Sequence, residues 1–324
     1  MANTEEANTR AAIRLGMYSD RLALLNMDRP ALLNIRDNKE LLTELVSSRP
    51  FLLECASERL RNDVDVCIAA ITRDKHKECM PFVGSTFLKN RDLMLMAISM
   101  RPYAFQYADE AIVDIDFCEQ CAIAREECMG YMKAELRSDM EFVRRVVSHN
   151  GLALEHALEP AASNRDVVLS AVTENGYALT YAKSFWDDRE IVLLAVCTNG
   201  LPIEHISERL RNDREIAVAA ARSVADSIRY LPDHLRNDRE VVLNAAKNDG
   251  IILKGVPDHL KNDREIAIEA VASAGTFALQ HLPYHLRVDP TILIHEAHGA
   301  LRMSETRNDV ESLLDTIKNI ILLA

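Results

Sequence analysis

The sequence predicts an all-α chain, an α-solenoid of about eleven helix-turn-helix repeats with a period near 25 residues. Three observations carry that expectation. A short Asn/Asp-led box recurs at near-constant spacing, each box opens like a capped helix, and the residues after it are apolar at helical intervals. The box is clearest as NDREIAVAAA from Asn212, NDREVVLNAA from Asn237 and NDREIAIEAV from Asn262, preceded by DDREIVLLAV from Asp187. With the second residue of each box as anchor, the clear anchors are Asp139, Asn164, Asp188, Asp213, Asp238, Asp263 and Asp289, spaced by 25, 24, 25, 25, 25 and 26 residues. Weaker copies at Asp114, Asn90, Asp63 and Asn38 continue backwards at 25, 24, 27 and 25.

Each repeat reads as two helices. Asn212 with Glu215, Asn237 with Glu240, Ser138 with Glu141 and Asp37 with Glu40 form the pattern of a capping box, in which side chains satisfy the unpaired amides of a first helical turn. The anchor Asp adds negative charge at the positive end of the helix dipole, and at Asp289 the following Pro290 starts the helix instead. Apolar residues then fill positions +3, +4, +5, +7 and +8, as in Ile191, Val192, Leu193, Ala195 and Val196. Position +7 is usually Ala (Ala171, Ala195, Ala220, Ala245, Ala270), which permits close helix approach. At +12 stand Gly151, Gly176, Gly200, Gly250 and Gly275, which read as left-handed helix caps. A short second helix follows, as in IILKGVPDHL, with Leu253, Val256 and Leu260 at helical spacing. One such hairpin cannot bury enough apolar area to fold alone, so neighbours must cover its flanks. The expected plan is an N-terminal cap at 1–36, degenerate repeats at 37–138, well-formed repeats at 139–300 and a C-terminal capping helix at 301–324, all in one continuous domain.

The composition fits a folded helical chain. Of 324 residues, 48% are hydrophobic and 27% charged, with only 10 Gly and 10 Pro. A net charge of −12 argues against nucleic acid and anionic membrane as main partners. No apolar run approaches the roughly 20 residues that cross a bilayer, so no membrane insertion is expected. The polar, acidic opening MANTEEANTR lacks the layout of a signal peptide, and seven cysteines, an odd number, suggest reduced thiols. The expected location is the cytoplasm.

The boxes DDREIVLLAV and NDREVVLNAAKNDG, followed by ILKGVPDHLKND, closely resemble a repeat family known as domain of unknown function 4116, whose unit corresponds to two of the periods counted above. The resemblance is strong over about 139–290 and degenerate over about 38–138. It implies helical repeats and a setting in protists, large DNA viruses or intracellular bacteria, where some members look like host-directed effectors acting in a host cytoplasm. It implies no activity, so no functional residue is carried over.

Candidate chemistry resolves into structural patterns. The carboxylate pairs Asp213/Glu215, Asp238/Glu240 and Asp263/Glu265 recur in every repeat, as capping groups do and a catalytic pair does not. Cys118, Cys121 and Cys128 include one C-x-x-C without a second ligand pair, and Cys118, Cys121 and Cys67 fall at core positions. His234, His259 and His285 each precede an anchor by four residues and read as a solvated row. Arg165, Arg189, Arg214, Arg239 and Arg264 at +1, with Arg211, Arg236, Lys261 and Arg287 at −2, would either pair with neighbouring acids or receive an anionic partner. Met and aromatic residues gathered between about Cys79 and Met132 fill an irregular core or an adaptable surface. No P-loop, G-x-G-x-x-G, H-E-x-x-H or G-x-S-x-G occurs, and no catalytic, cofactor or metal residue is assigned.

The remaining surface is the stripe +2, +6, +10. Its candidate protein-binding residues are Glu190, Leu194, Glu215, Ala219, Glu240, Asn244, Glu265 and Glu269, extended at +10 by Thr198, Ser223, Asn248 and Ser273. The expected function is a non-enzymatic protein-interaction scaffold, an effector or adaptor, whose partner presents a basic face. The alternative is an enzyme or enzyme inhibitor with its site in the atypical N-terminal third, which a pocket with converging polar groups near 79–132 would favour.

Overall fold

The computed structural model describes residues 36–199 and 201–303. Apart from their inner edges, the expected terminal caps at 1–36 and 301–324 lie outside the described residues, as does Gly200. No strand occurs among the described residues, and helix follows helix throughout. The long helices are α1 Lys39–Ser48, α2 Val64–Arg73, α3 Arg91–Met100, α4 Ile115–Ala124, α5 Met140–Val147, α6 Arg165–Glu174, α7 Arg189–Thr198, α8 Arg214–Ser223, α9 Arg239–Asn248, α10 Arg264–Ala274 and α11 Pro290–Met303. The described residues fall into two compact units, one of 36–146 with His156–Leu158, the other of Val147–Glu155 with 159–199 and 201–303. In the first unit α1 packs on α2, α2 on α3 and α3 on α4. In the second, α6 packs on α7 and so on in succession to α11.

Each long helix starts immediately after an anchor, because the anchor side chain is the N-cap. Asp213 Oδ1 accepts from the amides of Glu215 (2.9 Å) and Ile216 (3.4 Å), and Asp238, Asp263, Asp188 and Asn164 repeat the geometry. This corrects the expected capping box by one residue. Asn212 is not the cap of the helix ahead of it; it closes the short helix behind it, Glu208–Arg211, donating Nδ2 to the Glu208 carbonyl at 2.7 Å. Asn62 and Asn262 do the same for Glu58 and Asp258. The acid at +2 therefore sits in the first turn without reaching back to the cap.

The apolar arc is narrower than the sequence suggests. Positions +3, +4, +7 and +8 are buried in helix after helix: Leu41, Leu42, Leu45 and Val46 in α1, Ile191, Val192, Ala195 and Val196 in α7, Ile266, Ala267, Ala270 and Val271 in α10. Position +5 is half-exposed in α7, where Leu193 stands. Burial of each Val, Ile or Leu contributes about 1.5–3 kcal/mol. The second half of the repeat is not one helix. It is a 3-10 turn, such as Gly250–Gly255, followed by a single α-helical turn, such as Asp258–Lys261. Leu253, Val256 and Leu260 are all buried, so the apolar spacing is right while the backbone changes type between them.

Gly151, Gly176 and Gly250 at +12 serve close approach rather than helix capping, whereas Gly275 does end α10, with open space around its Cβ position. The residues that end α6, α7 and α9, namely Asn175, Asn199 and Asp249, are extended, and among the described glycines only Gly275 has a left-handed φ, +55°. A Cβ at Gly151 would stand 2.3 Å from the Ala171 carbonyl oxygen, one at Gly176 2.2 Å from that of Ala195, and one at Gly250 2.0 Å from that of Ala270. Each glycine thus abuts the +7 Ala of the next repeat, so the two small residues form a single contact. Side chains at +10 close it: Glu174 and Ser273 accept from the amides of Gly151 (2.6 Å) and Gly250 (2.9 Å).

A charged ladder joins the helix starts. Arg165 reaches Asp188 (3.5 Å) and Glu190 (2.5 Å) of the next repeat, Arg189 reaches Asp213 (3.0 Å) and Glu215, Arg214 reaches Asp238 (2.8 Å) and Glu240 (2.7 Å), and Arg239 reaches Asp263 and Glu265 (both 2.6 Å). Arg264 binds Asp289 at 3.1 Å. In the first unit Lys39 takes Asp63 and Asp65, and Arg91 takes Asp114. The pattern explains which anchors are Asp and which Asn. After every described +1 Arg or Lys the next anchor is Asp, whereas after Val64 and Met140 it is Asn, at Asn90 and Asn164. Ile115 followed by Asp139 departs from the rule, and there Arg145 bridges back to Glu119 at 2.9 Å. Arg214, Arg239 and Arg264 hold Asp238, Asp263 and Asp289 below the usual carboxylate range. At Asp213 burial pushes the other way, but Arg189 and two capped amides outweigh it.

Gly176→Ala should destabilise by about 1–3 kcal/mol in urea unfolding, since the new methyl meets a backbone carbonyl. Gly255→Ala, with open space around it, should fall within about 0.5 kcal/mol of the wild type. The lowered anchor carboxyls bind fewer protons folded than unfolded, so their stabilisation is complete above the unfolded value near 3.9 and is lost as pH falls through the folded values. The melting temperature should therefore drop on acidification below about pH 4. Asp238→Asn, which keeps a capping oxygen but no charge, should melt lower at pH 7 and lose less between pH 5 and pH 3 (roughly the window for a lowered carboxyl).

Candidate functional site

The expected binding stripe lies on one face of the second unit, and its acids are already engaged. Glu190, Glu215, Glu240 and Glu265 are exposed on α7 to α10, and each holds the guanidinium of the helix before it. The row is an alternation of Arg and Glu rather than a uniformly acidic strip. One turn further on, Leu194, Ala219, Asn244 and Glu269 are half-buried. Asn244 accepts from Arg222 Nε at 3.3 Å, and Glu269 lies 4.0 Å from Lys247 of the preceding helix. The +10 end of the stripe is structural. Asn248 donates to the Arg222 and Ser223 carbonyls at 3.0 and 2.9 Å, and Ser273 donates to that of Ala246 at 2.7 Å. On α7 the face carries a depression of about 570 Å³ lined by Arg189, Glu190, Leu193, Leu194 and Cys197.

The other sequence candidates find mostly structural roles. The +1 arginines pair with the acids of the next repeat, as above. Of the −2 cations, Arg211 donates to the Ile206 carbonyl at 3.1 Å, Arg236 pairs with Asp233, and Lys261 lies 3.4 Å from Asp258. His234, His259 and His285 are exposed on successive single-turn helices. Cys67, Cys118, Cys121 and Cys128 are buried, and burial pushes the thiols of Cys67 and Cys128 up to about 12, which makes them poor nucleophiles. Met80, Met94, Tyr103, Phe105 and Phe117 are core, whereas Met96 is 48% exposed.

A feature that sequence reasoning missed is the buried carboxylate of Asp74, only 1% exposed. It accepts from the Tyr103 hydroxyl at 2.6 Å and from the amides of His76 (3.2 Å), Glu78 (3.0 Å) and Cys79 (2.9 Å). Burial pushes its carboxyl up, but these donors outweigh that and hold it below the usual range. The same burial and the facing carboxylate push Tyr103 and Cys79 upward. The loop 74–79 is therefore wound on one buried charge, with Lys77 over the rings of Tyr103 and Tyr131 at 5.6 and 5.5 Å. The signal in the sequence was a two-residue lengthening, the spacing of 27 between Asp63 and Asn90.

The first unit also carries a depression of about 860 Å³ within the stretch where the alternative enzyme reading placed a site. Phe105, Ile115, Met132 and Leu136 contribute its apolar lining, and Glu110, Asp114, Asp116 and Lys133 its charges. Asp114 is spoken for: its Oδ1 caps Phe117 at 2.7 Å and the carboxylate holds Arg91, so the amide and the guanidinium keep it ionised. Among the described residues no hydrogen bond joins two of the lining side chains into an acid–base pair.

Comparison with known proteins matches this geometry to one family. The family model described as Domain of unknown function (DUF4116) matches residues 38–82, 164–211, 188–236 and 238–287. Together these segments cover just over half of the chain. Each begins at or next to an anchor, at Asn38, Asn164, Asp188 and Asp238, and the last three end with the second half of the following repeat, so one family unit spans two structural repeats. The second and third segments overlap by one whole repeat, which confirms that the shorter period is the structural one. The first segment falls where the resemblance was expected to be degenerate, and residues 83–163 lie outside all four. No curated protein and no solved structure matches the chain. On the matched segments and the repeat they share, the chain belongs to the DUF4116 family, a helical repeat domain of unknown function.

Proposed function

We propose that the chain is a non-enzymatic protein-interaction scaffold, and that a partner docks across the +2 and +6 positions of α7 to α10. The observation that carries this reading is the contrast between register positions. Positions +3, +4, +7 and +8 keep the same small or aliphatic character from helix to helix, whereas +6 runs through Ser170, Leu194, Ala219, Asn244 and Glu269. Packing fixes the first set; chemistry that changes at each step along an accessible face is what selective recognition uses. The glutamates at +2 keep much of their surface even while paired, with side chains 49–73% exposed, so a basic partner face can share them with the arginines. A reducing cytoplasm, with an effector or adaptor role in a host cytoplasm, belongs to this reading; seven cysteines, an odd number, and the family resemblance support it.

The test compares partner capture from that cytoplasm by the wild type and by a Glu215→Lys, Glu240→Lys, Glu265→Lys variant. A control variant, Glu208→Lys, Asp233→Lys, Asp258→Lys, carries the same charge change on the short helices. Loss of partners by the first variant alone, with both variants melting within a few degrees of the wild type, supports the face. Equal capture by all three rejects it.

A further inference from the structure

The repeat that begins at Asn90 lacks a part that most other repeats have. Three residues before the following anchor an apolar knob is buried at Leu60, Phe87, Leu210, Leu235, Leu260 and Leu286 and half-buried at Leu136 and Phe185, and the smaller Ala161 is buried at the same place. In this repeat the position is Ala111, which is exposed, and residues 110–112 form a turn instead of a helix. That turn borders the depression of about 860 Å³ in the first unit, through Ala108, Glu110 and Val113. Apolar surface stands open around it, with Ile115 55% and Val113 37% exposed. With Asp114 already held by Arg91, the charged lining left for a partner is the carboxylates of Glu110 and Asp116 against the single ammonium of Lys133.

We propose that this depression is a socket for a short helical segment of a partner protein, one that carries a Leu flanked by Arg or Lys. The inference rests on the reading that the chain binds proteins, and it names the partner chemistry at a second place. The missing knob specifies an aliphatic side chain, and the acidic rim specifies its flanking cations. The chain's own single-turn helices have this make-up, Glu-Arg-Leu-Arg at 58–61 and 208–211 and Asp-His-Leu-Lys at 258–261. A partner helix of that kind supplies from outside what the Asn90 repeat does not supply itself.

The probe is a stapled helical peptide of about 12 residues, a length at which an unstapled helix is marginal in water. It presents one Leu between arginines; one twin carries Glu for Arg and another Ala for Leu. Methyl NMR of the full chain should show saturable shifts at Val113, Ile115, Met132 and Leu136. The Arg peptide should bind at least about tenfold more tightly than either twin. Ile115→Glu should abolish the shifts and Asp116→Lys weaken binding about fivefold, each with an unchanged melting temperature because both side chains are exposed. Absence of saturable shifts, shifts confined to other methyls, or equal binding of the Glu twin would each overturn the proposal. So would concentration-dependent dimerisation that Ile115→Glu abolishes, because the occupant would then be a second copy of the chain. Partners captured normally by Ile115→Glu but lost by the triple Glu→Lys variant would leave the α7–α10 face standing while the socket fails.

Discussion

The anchor side chain has two sets of donors to satisfy, and its position between them organises the repeats. One oxygen takes the free amides of its own first helical turn; the carboxylate as a whole also faces the guanidinium of the helix before it. The helix cannot rotate without losing its cap, and the neighbour cannot slide without leaving its arginine unpaired. An exposed ion pair does little by itself, since water screens it and side-chain entropy opposes it. Here the pair is built on a residue that the cap has already immobilised, so less freedom remains to be lost. The same carboxylate therefore couples secondary structure to the contact between repeats.

Underneath the ladder the contact is made by the smallest side chains. A glycine from one repeat lies on the carbonyl of an alanine in the next, and a hydroxyl or carboxylate at +10 takes up the glycine amide in two of the repeats. Around this contact the side chains at +3, +4 and +8 are buried. Ala225 shows that the contact admits some relaxation, because it occupies the same register with a methyl group and is still buried.

Much of this was legible in the sequence, and the failures share a cause. Period, helix positions and core register follow from spacing, which local chemistry writes directly. The off-by-one cap arose because Asn212 and Asp213 are both good caps, and only the backbone shows that the Asn belongs to the turn before. At Gly151, Gly176 and Gly250 a left-handed cap and a close approach leave the same local signature; the carbonyl each lies against comes from 19 or 20 residues further along. A six-residue stretch is too short for apolar spacing to tell a 3-10 turn from an α-helix, which hid the break between Leu253 and Leu260. Asp74 lies in Asp-Lys-His-Lys-Glu-Cys, a run that reads as solvated charge, and its burial depends on Tyr103, 29 positions away. Pairing of the +1 arginines with nearby acids was one of the two outcomes the sequence offered, but that the acids taken are the +2 glutamates of the stripe depends on how one repeat sits on the next.

The Arg-to-Asp ladder runs one way along the chain, and this gives the repeats a grammar. A copy that starts with Asp and bears Arg can be duplicated beside another of its kind, and every new charge finds its counterpart. A copy that starts with Asn cannot be inserted behind an Arg without leaving that guanidinium half-served. Insertion of whole repeats is thus electrostatically neutral among the Asp/Arg copies from Asp188 to Asp263, which share Asp-Arg-Glu at the helix start and an even spacing of 25 residues.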